Sequence, residues 1–309
     1  MSAPSISIRH AVDPLPSWRD GTTKRAILDF VAAVTNPDSA DYVPPAERIA
    51  TFDNDGTLWS EHPLIQGVFI MTRARAMVAA DPALGEEEVF KRALAGQIAI
   101  PQDIKLVVEL AARTHTGMSR GAFKALARDF FDTARIGPQQ RPIHAQVYIP
   151  MRELLDFLVA HGFICFICTG GTIDFVRIIA QELYGIPPEQ VIGTDWQTHL
   201  EEREDGVELI IDPTLRTFND KAAKPGAIEL HIGRRPILAG GNVGGMGDIQ
   251  MLRYCQSRPG KTLQLLVNHD DAVREAAYAE PSGASLEAAE RFGWTVISMR
   301  DDWSQVMAA

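Results

Sequence analysis

The segment Ile49-Ala50-Thr51-Phe52-Asp53-Asn54-Asp55-Gly56-Thr57-Leu58-Trp59 constrains this chain more than any other, because an apolar run stops abruptly in two carboxylates, a glycine and a threonine. Residues 48–52 are short, apolar and rich in strand formers, which predicts a buried strand. Asn-Asp-Gly is turn chemistry, so Asp53 and Asp55 fall just past the strand's carboxyl end. That edge is where open α/β sheets bind ligands. Taken alone, the same acidic turn reads equally well as a solvated loop.

Two carboxylates at i and i+2 beyond a strand suit Mg²⁺-assisted phosphoryl transfer. One can attack phosphorus, the metal offsets charge between two anions, and the other protonates the leaving oxygen and then activates water. Phe52-Asp53-Asn54-Asp55-Gly56-Thr57-Leu58 resembles the first signature of the haloacid dehalogenase superfamily, in which hydrophobic-Asp-x-Asp-Gly-Thr-Leu marks the phosphatase branch. The resemblance implies a nucleophile at Asp53, an acid/base at Asp55, and a bound Mg²⁺ that both help to hold. Dehalogenases of the family lack the second Asp, so Asp55 points to phosphate chemistry.

Three later segments extend the resemblance. Residues 162–171 form an apolar run ending in Thr169-Gly170-Gly171, similar to the family's second signature. Alone it is commonly a turn. Beside the first signature it implies that the Thr169 hydroxyl and the amides of Gly170 and Gly171 cradle a phosphoryl group, with a helix from Thr172 adding its dipole. The third signature is a lysine before a helix. Lys224, next to Pro225, fits it and would tie together the charges of nucleophile and phosphate, whereas Lys221 reads as a solvated surface residue. The fourth is Gly241-Asn242 to Asp248, where the two polar residues are six apart instead of the family's four, and Gly244 stands four before Asp248. Asp248 is the better match for a metal ligand because Gly247-Asp248-Ile249-Gln250-Met251-Leu252 runs on into a helix. Asn242 is the second candidate, and an octahedral site that keeps waters tolerates one weakened ligand.

About 100 residues separate the first two predicted strands, far more than one crossover helix requires. Helices are predicted over 68–80, 85–95, 103–114 and 120–133, broken at Asp81-Pro82, Pro101 and Gly117-Met118-Ser119. The expected organisation is therefore a core of residues 1–62 and 150–309 with a helical cap over 63–149. This resembles the phosphoserine phosphatase-like branch with its small cap. A cap over the site would exclude water and select the substrate. Glu61 stands near the position where phosphoserine phosphatases meet the substrate amine, one residue early, and Arg73 is a second substrate-binding candidate. Arg73 and Arg75 read equally as exposed helix positions, and His62 and His115 as surface or cap packing.

The remaining chain fits the same architecture. A helix is expected over 22–34, a strand over 191–194, a hairpin over 196–212 around a charged tip at 201–206, and strands over 263–267 and 296–299. Asp270-Asp271 reads as a helix cap. The net charge of −10 and the lack of a basic stripe argue against nucleic-acid binding, and no apolar run reaches the length of a membrane span. Met1–His10 lacks a secretory pattern, which makes a cytoplasmic setting the expectation. Cys165 and Cys168 have redox spacing but lie in a predicted core strand, where packing explains them.

The whole predicts an α/β protein with a doubly wound, mostly parallel, Rossmann-like sheet and an inserted helical cap. Its expected activity is Mg²⁺-dependent hydrolysis of a small phosphorylated metabolite. A phosphotransferase or mutase of the same fold, and a non-catalytic metal- or phosphate-binding member, are the alternatives. Oligomeric state is not encoded in any legible feature.

Overall fold

The computed structural model describes residues 13–98, 102–204, 206–244 and 247–308. Met1–His10, Pro101, Asp205, Gly245 and Met246, which figure in the readings above, lie outside them.

Helix α1 (Thr22–Thr35) precedes strand β1 (Ile49–Phe52), all four residues of which are buried. Four helices follow: α2 (Ile65–Ala80), α3 (Glu88–Leu94), α4 (Ile104–His115) and α5 (Arg120–Thr133). A short hairpin of β2 (Arg135–Ile136) and β3 (Arg141–Pro142) leads to α6 (Ile149–Ala160) and then to β4 (Ile164–Thr172) and α7 (Ile173–Tyr184). A long antiparallel pair, β5 (Val191–Arg203) and β6 (Gly206–Thr217), precedes α8 (Ala223–Ile232) and β7 (Leu238–Asn242). The chain closes with α9 (Ile249–Gln256), β8 (Leu263–Asn268), α10 (Ala284–Phe292), β9 (Thr295–Ser298) and α11 (Met299–Asp302).

The principal sheet has the order β6-β5-β4-β1-β7-β8-β9, parallel throughout except for β6. From β1 the chain winds outward through β4 and β5, then returns to β7 on the other side of β1 and winds outward again. The strand order therefore reverses at β1, and a crevice opens beyond the carboxyl ends of β4, β1 and β7. The run of buried aliphatic residues in β1, β4, β7 and β8 reflects a sheet covered on both faces. Gly240 lets β7 approach β1 closely, since a Cβ there would fall 2.6 Å from the Phe52 ring.

The amino-terminal helix belongs to the core. Phe30 meets Phe163 at 6.3 Å between ring centroids, and the preceding Trp18 packs edge-on against Trp303 at 5.9 Å while its indole N–H donates to the Pro150 carbonyl at 2.9 Å. The four inserted helices are joined to the core through aromatic packing. Phe69 and Phe130 lie 5.2 Å and 6.3 Å from Phe175 of α7. Each such buried ring is worth about 3–5 kcal/mol against truncation to alanine. Arg120, at the start of α5, adds an ion bridge to Asp174 of α7 and to Asp195 of β5, the latter at 2.7 Å. The hairpin supports the same helices: Gly117 N–H donates to the Ile211 carbonyl, and Ile211 N–H to the Met118 carbonyl, both at 2.9 Å.

Several local expectations are corrected. The strand predicted over 191–194 and the first arm of the hairpin are one 13-residue strand, which pairs with β4 up to Thr194 and with β6 from Asp195 onward. Thr169-Gly170-Gly171 is part of β4, which bulges between Cys168 and Thr172 and pairs again with Thr194. Lys224 lies within the first turn of α8, not before it. No helix follows Asp270-Asp271 directly; Asp270 instead accepts the Arg300 N–H at 3.0 Å in the first turn of α11. Asp271 accepts from the amides of Val273 and Arg274 in a turn, and the segment folds back so that Tyr278 N–H donates to the His269 carbonyl at 3.0 Å. Cys165, Cys168 and Cys255 are buried free thiols. Among the described residues no helix is long and apolar enough to cross a membrane.

Candidate active site

Asp53 follows β1 directly, and its N–H still donates to the Gly240 carbonyl at 2.9 Å, so the nucleophile candidate is fixed to the sheet. The turn after it is held by Asn54, whose carbonyl accepts from Thr57 at 3.1 Å and from Leu58 at 2.8 Å, and by Gly56 in the left-handed region with φ +71°. Asp55 receives the Trp59 indole N–H on Oδ1 at 2.8 Å. A Cβ on Gly171 would lie 3.7 Å from Asp55 Oδ2, which measures how closely β4 faces this carboxylate.

Lys224 Nζ stands between two acids, 2.7 Å from Asp53 Oδ1 and 2.5 Å from Asp248 Oδ1. All three side chains are buried. Burial opposes the lysine's charge, but Asp248 and Asp53 outweigh it and hold the ammonium above its ordinary pKa. Burial also lifts the Asp53 carboxyl well above the usual carboxylate range, with Asp248 repelling it and Lys224 pulling it back. Asp55 is raised as well, chiefly by burial and against the Trp59 hydrogen bond. Two acids in contact with the ammonium and a third, Asp55, within its field thus share one cation, and with all three ionised the cluster is short of positive charge.

Thr169 is fully buried, and its Oγ1 accepts the Gly171 N–H at 3.0 Å. With Oγ1 accepting there, the hydroxyl hydrogen is left available to donate to an anion. The backbone around it is secured by groups that the sequence did not single out. Asn219 Nδ2 donates to the Thr169 carbonyl at 2.9 Å, and Thr194 Oγ1 to the Gly170 carbonyl at 2.7 Å. Gln66, in the first turn of α2, accepts from Thr172 N–H at 2.9 Å and donates to Thr172 Oγ1 at 2.5 Å. Helix α2 therefore reaches β4 directly, next to Thr169. No motif marks Gln66; only its place at the start of a helix near the site could have drawn notice.

Asn242 and Asp248 meet despite their wider spacing: Asn242 N–H donates to Asp248 Oδ2 at 3.0 Å. A Cβ on Gly241 would fall 2.5 Å from that of Asp248, so glycine is what lets the loop close. The amide of Asn242 presents Nδ2 to Asp53 Oδ2 at 3.3 Å and to the Asp55 carbonyl at 2.8 Å, while Oδ1 accepts from Gly244 N–H. Metal ligation by Asn242 would require the amide to turn over. Glu61 lies over the same loop: a Cβ on Gly56 would fall 2.9 Å from its carboxyl carbon, and one on Gly244 would overlap Oε1. Burial pushes the Glu61 carboxyl up to about 7, with Asp55 and Asp248 adding to the rise and a Tyr278 hydrogen bond opposing it.

The sequence-derived set therefore converges with one exception. Arg73 forms no hydrogen bond or ion pair with the cluster. It is half-buried on α2 with its Nε unpartnered, and its charge is felt by His115. Lys221, Arg75 and His62 are exposed, and His115 is packed against Phe69 and Phe123.

A hard divalent cation fits the donors. Asp53, Asp248 and the Asp55 carbonyl offer oxygen only, and the charge imbalance would be relieved by such an ion. Among the described residues no three His, Cys, Asp or Glu side chains stand close enough to chelate a metal together. Such a site must therefore be completed by main chain and water, as magnesium tolerates.

A functionally unknown conserved protein from Anaerococcus prevotii has a similar structure, with a TM-score of 0.57 at 16% identity, covering 89% of this chain and 91% of that one. A protein of unknown function from Bordetella pertussis gives 0.52 at 19% identity, covering 81% and 98%. A phosphoserine phosphohydrolase-like protein from Francisella tularensis gives 0.44 at 16% identity, covering 81% and 94%. For the first two the likeness is one of fold alone. No curated protein matches the sequence. The family model described as haloacid dehalogenase-like hydrolase matches residues 50–253, well over half of the chain, and with the site at its expected sheet edge the chain belongs to that family.

Proposed function

We propose that the protein is a Mg²⁺-dependent phosphomonoester hydrolase acting on a small phosphorylated metabolite in the cytoplasm. In this reading residues 1–62 and 150–309 form the catalytic core, and residues 63–149 form the cap that selects the substrate. The observation that carries the proposal is the buried ion triad of Asp53, Lys224 and Asp248, set beside Asp55 and Thr169 at the switch point of the sheet.

Asp53 attacks phosphorus to give an aspartyl-phosphate, and the ester oxygen leaves with a proton from Asp55. The raised pKa of Asp55 suits it to carry that proton. Asp55, now ionised, takes a proton from water, which attacks the acyl phosphate and releases inorganic phosphate. Thr169 donates its hydroxyl hydrogen to a phosphoryl oxygen, and Lys224 keeps the nucleophile's charge balanced while phosphate approaches. Asp53, Asp248 and the Asp55 carbonyl would hold Mg²⁺, which supplies neutralisation of charge between nucleophile and phosphate.

The test is release of inorganic phosphate from a panel of phosphomonoesters, with and without Mg²⁺, by the parent and by Asp53→Asn. Metal-dependent release that vanishes in the variant is the expected result. A folded, metal-binding parent that hydrolyses no ester would overturn the hydrolase reading. The inward NH₂ of Asn242 would then favour a binding role, and added alcohol acceptors would reveal a transferase.

A further inference from the structure

The signature residues leave one buried polar cluster beside the catalytic turn unexplained. His269 follows β8, and its side chain is wholly buried. Its Nε2 lies 2.8 Å from the Gly56 carbonyl and its Nδ1 lies 3.0 Å from Glu275 Oε2. Tyr148 donates its hydroxyl to the other oxygen of Glu275. Tyr278 stacks on the imidazole at 4.1 Å between centroids, has its hydroxyl 2.9 Å from Nε2, and also hydrogen-bonds Glu61. The chain of contacts runs from Glu61 over the active-site loop, through Tyr278 and His269, to Glu275 and Tyr148.

The bonding inventory fixes what His269 does. The Gly56 carbonyl only accepts, so Nε2 carries a hydrogen and donates it. Glu275 faces Nδ1, so both ring nitrogens are engaged and the imidazole cannot turn without leaving two buried groups unpaired. On its other side the Gly56 N–H donates to the Trp59 carbonyl at 2.9 Å. The left-handed residue immediately after Asp55 is thus gripped at both ends, once from its own turn and once from a strand far away in sequence.

We infer that His269 is a positioning residue for the catalytic turn: with Glu275 and Tyr278 it holds the Gly56 carbonyl, and through it Asp55, in the geometry that the reaction needs. The inference rests on the hydrolase reading for its kinetic consequence but not for its structural one. Misplacement of a reacting group by about 1 Å can cost roughly 100-fold in rate. His269 touches no reacting atom, so the loss should appear in kcat with KM nearly unchanged.

The experiment compares His269→Leu, which removes the donor, with His269→Gln, whose amide N–H can reach the same carbonyl. Hydrogen–deuterium exchange of the peptide spanning residues 53–60 and steady-state kinetics on an aryl phosphate are read on each. The leucine variant should exchange faster across this peptide and lose about 100-fold in kcat, and glutamine should recover most of both. Parental exchange and kcat in the leucine variant would reduce His269 to packing and overturn the inference. So would a glutamine variant as impaired as leucine. Should leucine not fold, His269→Asn, too short to reach Gly56, takes its place with the same expectation. A parent that hydrolyses nothing would sink the hydrolase reading, while the exchange comparison would still decide whether His269 holds the turn.

Discussion

Lys224 reaches across from α8 to place its ammonium 2.7 Å from Asp53, and the same nitrogen contacts Asp248, so the proposed nucleophile is charge-paired within the protein itself. Lys224→Met should abolish turnover and destabilise the fold by about 3–5 kcal/mol, because it leaves buried like charges uncompensated. Added Mg²⁺ should raise the melting temperature of the variant more than that of the parent. Thermal unfolding with and without the ion, beside phosphate release, checks both statements.

Asp55 is assigned two proton transfers, and they can be separated. The aryloxide of an aryl phosphate can leave without a proton, whereas the alkoxide of an alkyl phosphate needs one. Asp55→Asn should therefore still release a burst of about one equivalent of phenolate per enzyme and then stall, because water attack on the acyl phosphate lacks its base. Rapid-mixing absorbance measures the burst. Equal loss on aryl and alkyl esters, with no burst, would remove Asp55 from the acid/base role.

Gly241→Ala tests the fourth motif without touching a charged group. Its new Cβ would lie 2.5 Å from Asp248 Cβ and 2.6 Å from Oδ2, and the backbone cannot yield there without breaking the Asn242 N–H bond to that oxygen. The expected result is weaker Mg²⁺ binding by calorimetry and a stability loss of about 1–3 kcal/mol.

His115 predicts a pH dependence remote from the catalytic groups. Burial, with a smaller push from Arg73, lowers its pKa from 6.5 to about 3 in the folded protein. The unfolded chain therefore binds a proton that the folded one refuses, and stability present above pH 6.5 is lost as pH falls. By pH 5 the loss from this group is about 2 kcal/mol. His115→Phe, which can fill the space beside Phe69 and Phe123, should flatten the decline between pH 7.5 and pH 5 in denaturant unfolding. An unchanged slope would show that the imidazole is protonated in place.

Much of the core was legible because its chemistry is local. An apolar run ending in Asp53-Asn54-Asp55-Gly56 is strand and turn within a few residues, and the helix over 120–133 carries clear periodicity after the breaker Gly117-Met118-Ser119. Thr169, Lys224 and Asp248 were readable through resemblance, since a family motif encodes which distant segments meet. What escaped was non-local. Gln66, Asn219, Thr194 and His269 each bond to a backbone group more than 20 residues away. Nothing in their own neighbourhoods announces it. The turn at Asp271 was misread for a similar reason: the Asp271 carboxylate does take the Val273 and Arg274 amides as a cap would, but the chain then turns back to pair Tyr278 with His269 and the helix is not continued.

The bonds between Ile211 and the Gly117-Met118 link have a practical outcome for engineering. Because the hairpin of the core sheet is stitched to the inserted helices, the proposed cap depends on a segment far from it in the gene. Exchange of residues 63–149 alone between relatives would leave the donor helices on a foreign strand, with the carbonyl and amide of Ile211 facing an unmatched neighbour. Chimaeras that carry the hairpin along with the helices should fold, and those that leave it behind should be recovered poorly.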